Sequence, residues 1–290
     1  MTAVRYLTTL REMLKDIRFS IGAGIFLFLF ILICLTALSP FDPNDWQVVP
    51  RDLPPSWEHP LGTNSLGQDV FWRMTFAVRN SLLFAAAAAA LSRIIAVTVG
   101  LVSGYAGGIV DRVLMFITDG ILVIPLFLVL VLLSMLVREH MNAFNLVVLF
   151  GLVSWPWGAH LIRSEILSLR EREFTYTSIL SGVPTRRLVF GEYIPFILPL
   201  VFSTFINNMA WVVGMEITLA YLGLTNLLVP TLGAMINWAV TYQAMLLGLW
   251  WWLLAPIFIS VATFVALYLI SVGITQYLDP RARIQRIGAK

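Results

Sequence analysis

The chain has 290 residues, of which 59% are hydrophobic and only 12% are charged, and its mean hydropathy is +0.86. Soluble globular domains carry about 45–50% apolar and about 25% charged residues, so this composition excludes a water-soluble globule. Lysine occurs only at Lys15 and Lys290, and neither directly follows a glycine. This excludes a phosphate-binding loop of the Gly-x-x-x-x-Gly-Lys type, and we do not expect the chain to hydrolyse ATP itself.

The first apolar run covers residues 19–41, which contain no charged residue. About 20 such residues are enough for a helix to cross a bilayer. A secretory signal peptide is the alternative, because basic residues precede the run, but the run is longer than the 7–15 apolar residues of a signal peptide. We therefore predict an uncleaved membrane helix over 21–39, followed by a polar loop over 40–79.

Five further apolar stretches predict five more membrane helices, and the fold class is therefore an all-α polytopic membrane protein with six transmembrane helices. The stretches are 81–106, 113–137, 144–162, 196–216 and 245–272. The 62 uncharged residues between Glu216 and Asp279 are too many for one span. We expect their first part, 217–244, to be re-entrant or to lie on the membrane surface. The chain then divides into residues 1–80 (an N-terminal cytoplasmic segment, the first helix and an external loop) and a five-helix core over 81–290.

The distribution of Lys and Arg predicts the orientation of these helices. The N-terminal segment, the 107–112 turn, the 163–195 loop and the C-terminal tail together hold fourteen Lys/Arg and eight Asp/Glu. The opposite side holds four Lys/Arg and six Asp/Glu. Since cytoplasmic loops carry the excess of basic residues, we expect both termini in the cytoplasm and the 40–79 loop outside. The basic residues of the cytoplasmic loops explain the overall charge of +3, so no nucleic-acid partner is needed to explain it.

The cytoplasmic loop 163–195 carries apolar residues where a simple connector would face water. Residues 173–195 read as two short helices, with Gly182 at positive φ between them and Pro184 in the first turn of the second. Apolar positions on such a helix-turn-helix indicate a surface that docks onto another protein. The alternative is a loop that only connects spans four and five.

Three Asp, Glu or Arg residues lie inside the predicted spans, Arg93, Asp119 and Glu216, and the fifth span also carries the adjacent asparagines Asn207 and Asn208. Charged residues in hydrocarbon turn toward protein or water, so Arg93 and Asp119 are candidates for an ion pair, and Glu216 for contact with solvent or substrate. A purely structural role is the alternative for each. Asn207 and Asn208 are candidates for lining a polar pathway or for bonding another helix. Only one of them is expected to line it, because adjacent helical residues do not share a face.

Residues 173–195 resemble the "EAA" coupling segment of the inner-membrane permeases of binding-protein-dependent ABC importers. Gly182 and Pro195 fall in register with that pattern, while Tyr176, Thr177 and Ser178 replace its Glu-Ala-Ala triplet and Glu192 replaces a frequent histidine. We call residues 173–195 the coupling segment. The resemblance implies that it contacts an ATPase subunit, through the following candidate residues: Tyr176, Thr177, Ser178, Gly182, Val183, Pro184, Arg186, Arg187, Glu192 and Pro195.

Further blocks resemble the dipeptide/oligopeptide subfamily, in its C-type subunit. They are residues 59–70 continuing to 79–82, 104–108 with Asp111 and Asp119, 216–224, and 278–281. The resemblance implies the type I ABC importer permease fold in the inner membrane of a prokaryote. It also implies a second homologous permease, two ATP-binding subunits that hold ATP and Mg, and a solute-binding protein. No cofactor and no metal are expected in this chain. The implied cargo is di- or oligopeptides, and oligosaccharides, nickel or another small solute are the alternatives.

Two other classes of membrane protein would require residue patterns that differ from those of a permease. An ion-coupled secondary transporter generally has buried carboxylates near the midplane and often internal repeats. Here only Asp119 could serve, and the two halves show no repeat. A membrane-embedded enzyme would need a His-x-x-x-His or paired-carboxylate spacing in a span, and none is present. A permease without catalytic residues of its own therefore fits best.

Overall fold

The computed structural model describes residues 13–136 and 142–278, and in these ranges every regular element is helical. The helices are α1 (Ile17–Leu35), α2 (Val70–Ala106), α3 (Gly108–Val123), α4 (Leu126–Leu136), α5 (Ala143–Val153), α6 (Pro156–Arg170), α7 (Glu173–Leu180), α8 (Thr185–Leu188), α9 (Ile194–Tyr221), α10 (Leu232–Thr241) and α11 (Trp250–Leu278). A 3₁₀ turn (Thr36–Leu38) extends α1, and a π turn (Val189–Tyr193) joins α8 to α9.

Four straight helical stretches in the described ranges are long and apolar enough to cross a membrane. They are Ile17–Leu38, Val70–Ala106, Thr185–Tyr221 and Trp250–Gln276. The stretches predicted at 113–137 and 144–162 are each broken into two helices, bent by 80° between α3 and α4 and by 47° between α5 and α6. Counting each bent pair as one crossing gives the six spans expected. The breaks fall at Pro125 and Pro156, because proline lacks the amide hydrogen that continues a helix and restricts the residue before it.

Helix α2 begins at Val70, well before residue 81, where the span was predicted to start. The Asp69 carboxylate accepts a hydrogen bond from the backbone N–H of Trp72 and so caps the helix. An N-terminal cap of this kind satisfies a backbone donor that has no partner within the helix. The extension carries α2 beyond the apolar stretch and into the 40–69 segment.

The 40–69 segment is an ordered structure folded over this end of α2. The Asn64 Oδ1 accepts hydrogen bonds from the backbone N–H groups of Leu66 (3.0 Å) and Gln68 (2.9 Å). The His59 Nδ1 lies 2.8 Å from the Asp69 Oδ2, and both residues are buried. These bonds hold a long loop without regular structure in one conformation.

The centre of the fold is α2, which packs against α6, α5 and α9, while α11 packs against α1 and α9. Helix α9 runs to Tyr221, five residues beyond the predicted end of its span. The 217–244 segment then contains α10, which packs on α9 and α11. Ten residues are too few to cross a bilayer.

Candidate functional site

The coupling segment is formed by α7, a tight turn and α8. The Gly182 N–H donates to the Ile179 carbonyl (3.0 Å), and the Val183 N–H donates to the Ser178 carbonyl (3.0 Å). These two bonds are the Schellman ending of a helix, which needs a residue in the left-handed region after the last helical turn. Gly182 has φ of +73°, so the predicted turn is confirmed. Pro184 lies just before α8 and not in its first turn, which is a shift of one position.

Buried contacts fix the coupling segment to the helices behind it. The Thr175 hydroxyl donates to the Leu169 carbonyl (2.7 Å) and lies 3.2 Å from the Tyr193 hydroxyl, and both Thr175 and Tyr193 are buried. The Tyr105 hydroxyl of α2 donates to the Thr185 hydroxyl (3.1 Å). Our sequence interpretation missed Thr175, Tyr105 and Tyr193, because their importance comes from contacts between distant segments. The segment is therefore linked directly to α2, α6 and α9.

One face of α7 presents apolar side chains to solvent. Tyr176 is 57% exposed, Ile179 is 55% exposed and Leu180 is 87% exposed. Their spacing of three and four residues places them on one side of the helix. Of the other candidate residues, Ser178 and Val183 are half-buried, and the exposed ones are Thr177, Gly182, Pro184, Arg186, Arg187, Glu192 and Pro195. The segment thus combines an exposed apolar face with two exposed arginines.

The hypothesis of an ion pair between Arg93 and Asp119 is wrong. The Arg93 Nη2 donates to the Ser154 carbonyl (3.3 Å) and to the Ser92 hydroxyl (3.1 Å). Its guanidinium turns toward the junction of α5 and α6, where Gly158 leaves room that a Cβ would fill. The Asp119 Oδ1 lies instead 2.8 Å from the His160 Nε2, in a contact that lacks the alignment of a hydrogen bond. That contact is an ion pair only when His160 is protonated.

Both predicted asparagines line a cavity of about 290 Å³ together with Arg93. Asn207 is exposed and Asn208 is half-buried, and the Asn208 Oδ1 accepts a hydrogen bond from the Ser154 hydroxyl (3.4 Å). Both asparagines reach this cavity although they are adjacent in α9. The expectation that one of them lines a transport pathway stays a prediction. Asn208 also makes the interhelical hydrogen bond that was the alternative for it.

Glu216 is buried, with 1% of its surface exposed, and is not hydrated at a helix end. The Thr231 hydroxyl donates to its Oε1 (2.6 Å), while its Oε2 has no hydrogen-bond partner among the described residues. Glu216 lines a second, largely apolar cavity of about 450 Å³ between α2, α5, α9 and the 225–231 turn. Burial follows from the continuation of α9 to Tyr221 and from α10, which folds back against it.

Asp111 and Arg163 form an ion pair that the sequence interpretation missed. The Arg163 Nε donates to the Asp111 Oδ1 and the Arg163 Nη2 donates to the Asp111 Oδ2, and both distances are 2.6 Å. Two parallel bonds between a guanidinium and a carboxylate fix direction as well as distance. The pair joins the start of α3 to the middle of α6. In the sequence, only the opposite charges of the two residues hinted at it.

Comparison with known proteins gives the same picture over most of the chain. Residues 96–284 match the family described as "Binding-protein-dependent transport system inner membrane component". The chain is 32% identical over 258 residues to the oligopeptide transport system permease protein OppC of Mycobacterium tuberculosis, covering 88% of this chain and 87% of that protein. It is 29% identical over 266 residues to the dipeptide transport system permease protein DppC of Bacillus subtilis, covering 90% and 82%. The OppC of Bacillus subtilis is 30% identical over 203 residues, covering 68% and 66%.

Proposed function

Because the chain belongs to the family of binding-protein-dependent transport system inner membrane components, we propose that it imports di- and oligopeptides as one of two permease subunits of an ATP-driven importer. It is a multi-pass inner-membrane protein and a permease subunit, not an enzyme, and ATP is hydrolysed by a separate subunit. The peptide cargo is proposed from the relatives, which are named for oligopeptides and dipeptides. A solute-binding protein delivers the cargo on the outer side.

The observation that carries this proposal is the exposed apolar face of Tyr176, Ile179 and Leu180 on a rigidly held segment. Exposed apolar patches on a firmly positioned element mark protein contacts. An ATPase subunit covers this face, with Arg186 and Arg187 at its edge. One chain provides one such segment, so a second homologous permease contacts the second ATPase. The two ATPase subunits bind ATP and Mg, and both termini of this chain lie with them in the cytoplasm.

In this arrangement the coupling segment transmits the movement of the ATPases to the spans. Thr175 and Tyr193 connect α7 to α6 and to the base of α9, and Thr185 connects α8 to α2. A displacement of the segment therefore moves the helices that line the cavity of Arg93. The five spans from the start of α2 at Val70 onward form the permease core. Alternating access results from rocking of the two permeases about a site near the midplane.

The test is the substitution Leu180→Asp, with Leu228→Asp as its control. Both leucines are exposed, at 87% and 63%, so neither change disturbs the core of the chain. A buried, unpaired carboxylate opposes association, so we expect Leu180→Asp to lose the ATPase subunits on affinity purification and to lose ATP-driven peptide uptake in proteoliposomes. Leu228→Asp should retain the ATPase subunits. Normal ATPase retention and uptake with Leu180→Asp would contradict the proposal.

A further inference from the structure

The cavity beside Arg93 lies next to the middle of α9, which contributes Asn207 and Asn208 to its lining. Asn208 is fourteen residues from the start of α9 at Ile194 and thirteen from its end at Tyr221. At about 1.5 Å per residue this is roughly 20 Å from either end. The walls of the cavity include the rings of Trp157 and Trp211. Its lining is largely apolar, and the polar residues in it are Arg93, Ser154, Thr204, Asn207 and Asn208.

Those polar groups are dominated by a cation that no carboxylate neutralises. Arg93 is buried, with 5% of its surface exposed, and no acidic oxygen of the described residues lies within 4.0 Å of its guanidinium nitrogens. Its Nε is buried and donates to nothing in the described ranges. Its recorded partners are a serine carbonyl and a serine hydroxyl, which carry no charge. Asp119, the acid expected to pair with it, contacts His160 instead.

A buried arginine without a carboxylate partner has hydrogen-bond donors and a positive charge that are not fully satisfied. Arginine keeps its charge in proteins, and charged groups in a membrane interior pair with an opposite charge or mark the path of a ligand. The free donors of a guanidinium form a planar fork that matches a carboxylate. The side-chain amides of Asn207 and Asn208, which line the same cavity, supply further donors. An anionic group placed there would satisfy donors that the chain leaves open.

We infer that this cavity binds a carboxylate of the transported solute through Arg93, Asn207 and Asn208. The inference rests on the proposed function and deepens it, since a di- or oligopeptide carries a terminal carboxylate, and its apolar side chains fit the walls that contain Trp157 and Trp211. The broken helix at Pro156 contributes, because it leaves the last carbonyls of α5 without helical partners and the Ser154 carbonyl is free to orient the guanidinium. Substrate sites of alternating-access transporters lie inside the helical bundle, away from the helix ends, and this cavity does too.

The experiment measures ligand binding independently of transport. The purified complex of this chain with its partner permease and ATPases, without binding protein, is titrated with tri-alanine, with tri-alanine amide and with acetate, and its thermal midpoint is recorded. A ligand that binds the folded state raises this midpoint. We expect tri-alanine and acetate to raise it and the amide to have little effect. In Arg93→Met the dissociation constant for tri-alanine should rise roughly tenfold or more, as expected for loss of a charge-assisted contact.

Two further variants separate binding from folding. Arg73 is an equally buried arginine of α2, but it donates to the Pro43 carbonyl far from the cavity. Arg73→Met should lower the midpoint and retain the tri-alanine shift. Arg93→Lys keeps the charge but not the planar fork of donors, so it should retain a reduced tri-alanine shift. If the Arg93→Met complex fails to assemble, Arg93→Lys is the variant that tests the inference.

Some outcomes would overturn the inference, and one would refute only the proposed function. Equal shifts with the acid and the amide, or shifts that persist in Arg93→Met, would show that Arg93 does not bind the carboxylate. A shift produced by phosphatidylglycerol and abolished in Arg93→Met, with none from tri-alanine, would assign the cavity to a lipid phosphate. An Arg93→Met complex that loses its partner permease, with no acid preference in the wild type, would assign the opposing charge to that partner. Failure of the wild-type complex to import any peptide, with the shifts intact, would refute the proposed function and leave the carboxylate site standing.

Discussion

Gly182 adopts a left-handed backbone conformation, with φ of +73°, at the turn of the coupling segment. A Cβ built on it would meet no atom of the described residues within 4 Å. Within this chain, the cost of a substitution therefore comes from the backbone conformation. This separates Gly182 from the glycines packed between helices, where the cost is steric.

Replacing Gly182 by valine and by asparagine should give different results. Valine in this region is strained by about 1–3 kcal/mol, whereas asparagine is several-fold enriched there. We expect Gly182→Val to distort the turn and to reduce both ATPase stimulation and peptide uptake, while Gly182→Asn remains close to wild type. Both activities are measured in proteoliposomes, together with the amount of ATPase subunit that co-purifies. Equal losses in the two variants would show that the backbone conformation is not what matters at this position.

Helices α2 and α6 approach each other closely because α2 carries glycines, Gly100 and Gly104, where the two helices meet. A Cβ on Gly100 would lie 2.6 Å from the Ala159 carbonyl oxygen and 2.8 Å from the Ile162 Cβ. A Cβ on Gly104 would lie 2.9 Å from the Ile166 Cβ. Small residues four apart on one helix allow this kind of packing in membranes. This contact fixes α6 against α2, and the coupling segment follows directly after α6 in the chain.

The substitution Gly100→Ala should therefore destabilise the protein, although alanine favours helix. Overpacking costs about 1–3 kcal/mol, which exceeds the roughly 1 kcal/mol that alanine contributes to helix propensity. The matched control is Gly120→Ala in α3, where a Cβ meets nothing within 4 Å and the change should be neutral or slightly stabilising. Thermal unfolding of the detergent-purified complex distinguishes the two. A Gly100→Ala midpoint equal to that of the control would mean that α2 and α6 can separate freely.

At the scale of the whole molecule, the side of the membrane on which each loop lies depends on charge. The 40–69 segment precedes the start of α2, whereas the coupling segment is hydrogen-bonded through Thr185 to Tyr105 near the end of α2. The loops predicted on the side of the coupling segment hold fourteen Lys/Arg, and those on the opposite side hold four. Basic residues are retained on the cytoplasmic side during insertion. The proposed orientation follows from this asymmetry.

Cysteine labelling tests that orientation. In a Cys34→Ala background, which removes the single native cysteine, Asn44→Cys should react with a membrane-impermeant thiol reagent in intact cells and Thr185→Cys should not. Both positions are exposed, so accessibility within the chain does not limit either reaction. Lysed cells, in which both should react, provide the control. The reverse pattern in intact cells would invert the proposed topology.

Local patterns predicted much of this protein. The apolar runs predicted six crossings, because burial of a helical backbone in lipid requires about 20 apolar residues and little else. The turn at Gly182 was predictable because glycine takes the left-handed conformation that a helix ending needs. Both are properties of a short stretch of chain, so they do not depend on how the helices pack.

The sequence did not predict the partners of the charged side chains. The contacts of Arg93 with Ser154, of Asp119 with His160 and of Asp111 with Arg163 depend on how far each helix is rotated and shifted against its neighbour. The bends of 80° and 47° follow the prolines in position, but their angles are set by the packing of both halves. The sequence shows that a charged residue inside a span needs a partner. Which atom is that partner depends on how all the helices pack together, and only the tertiary structure determines this.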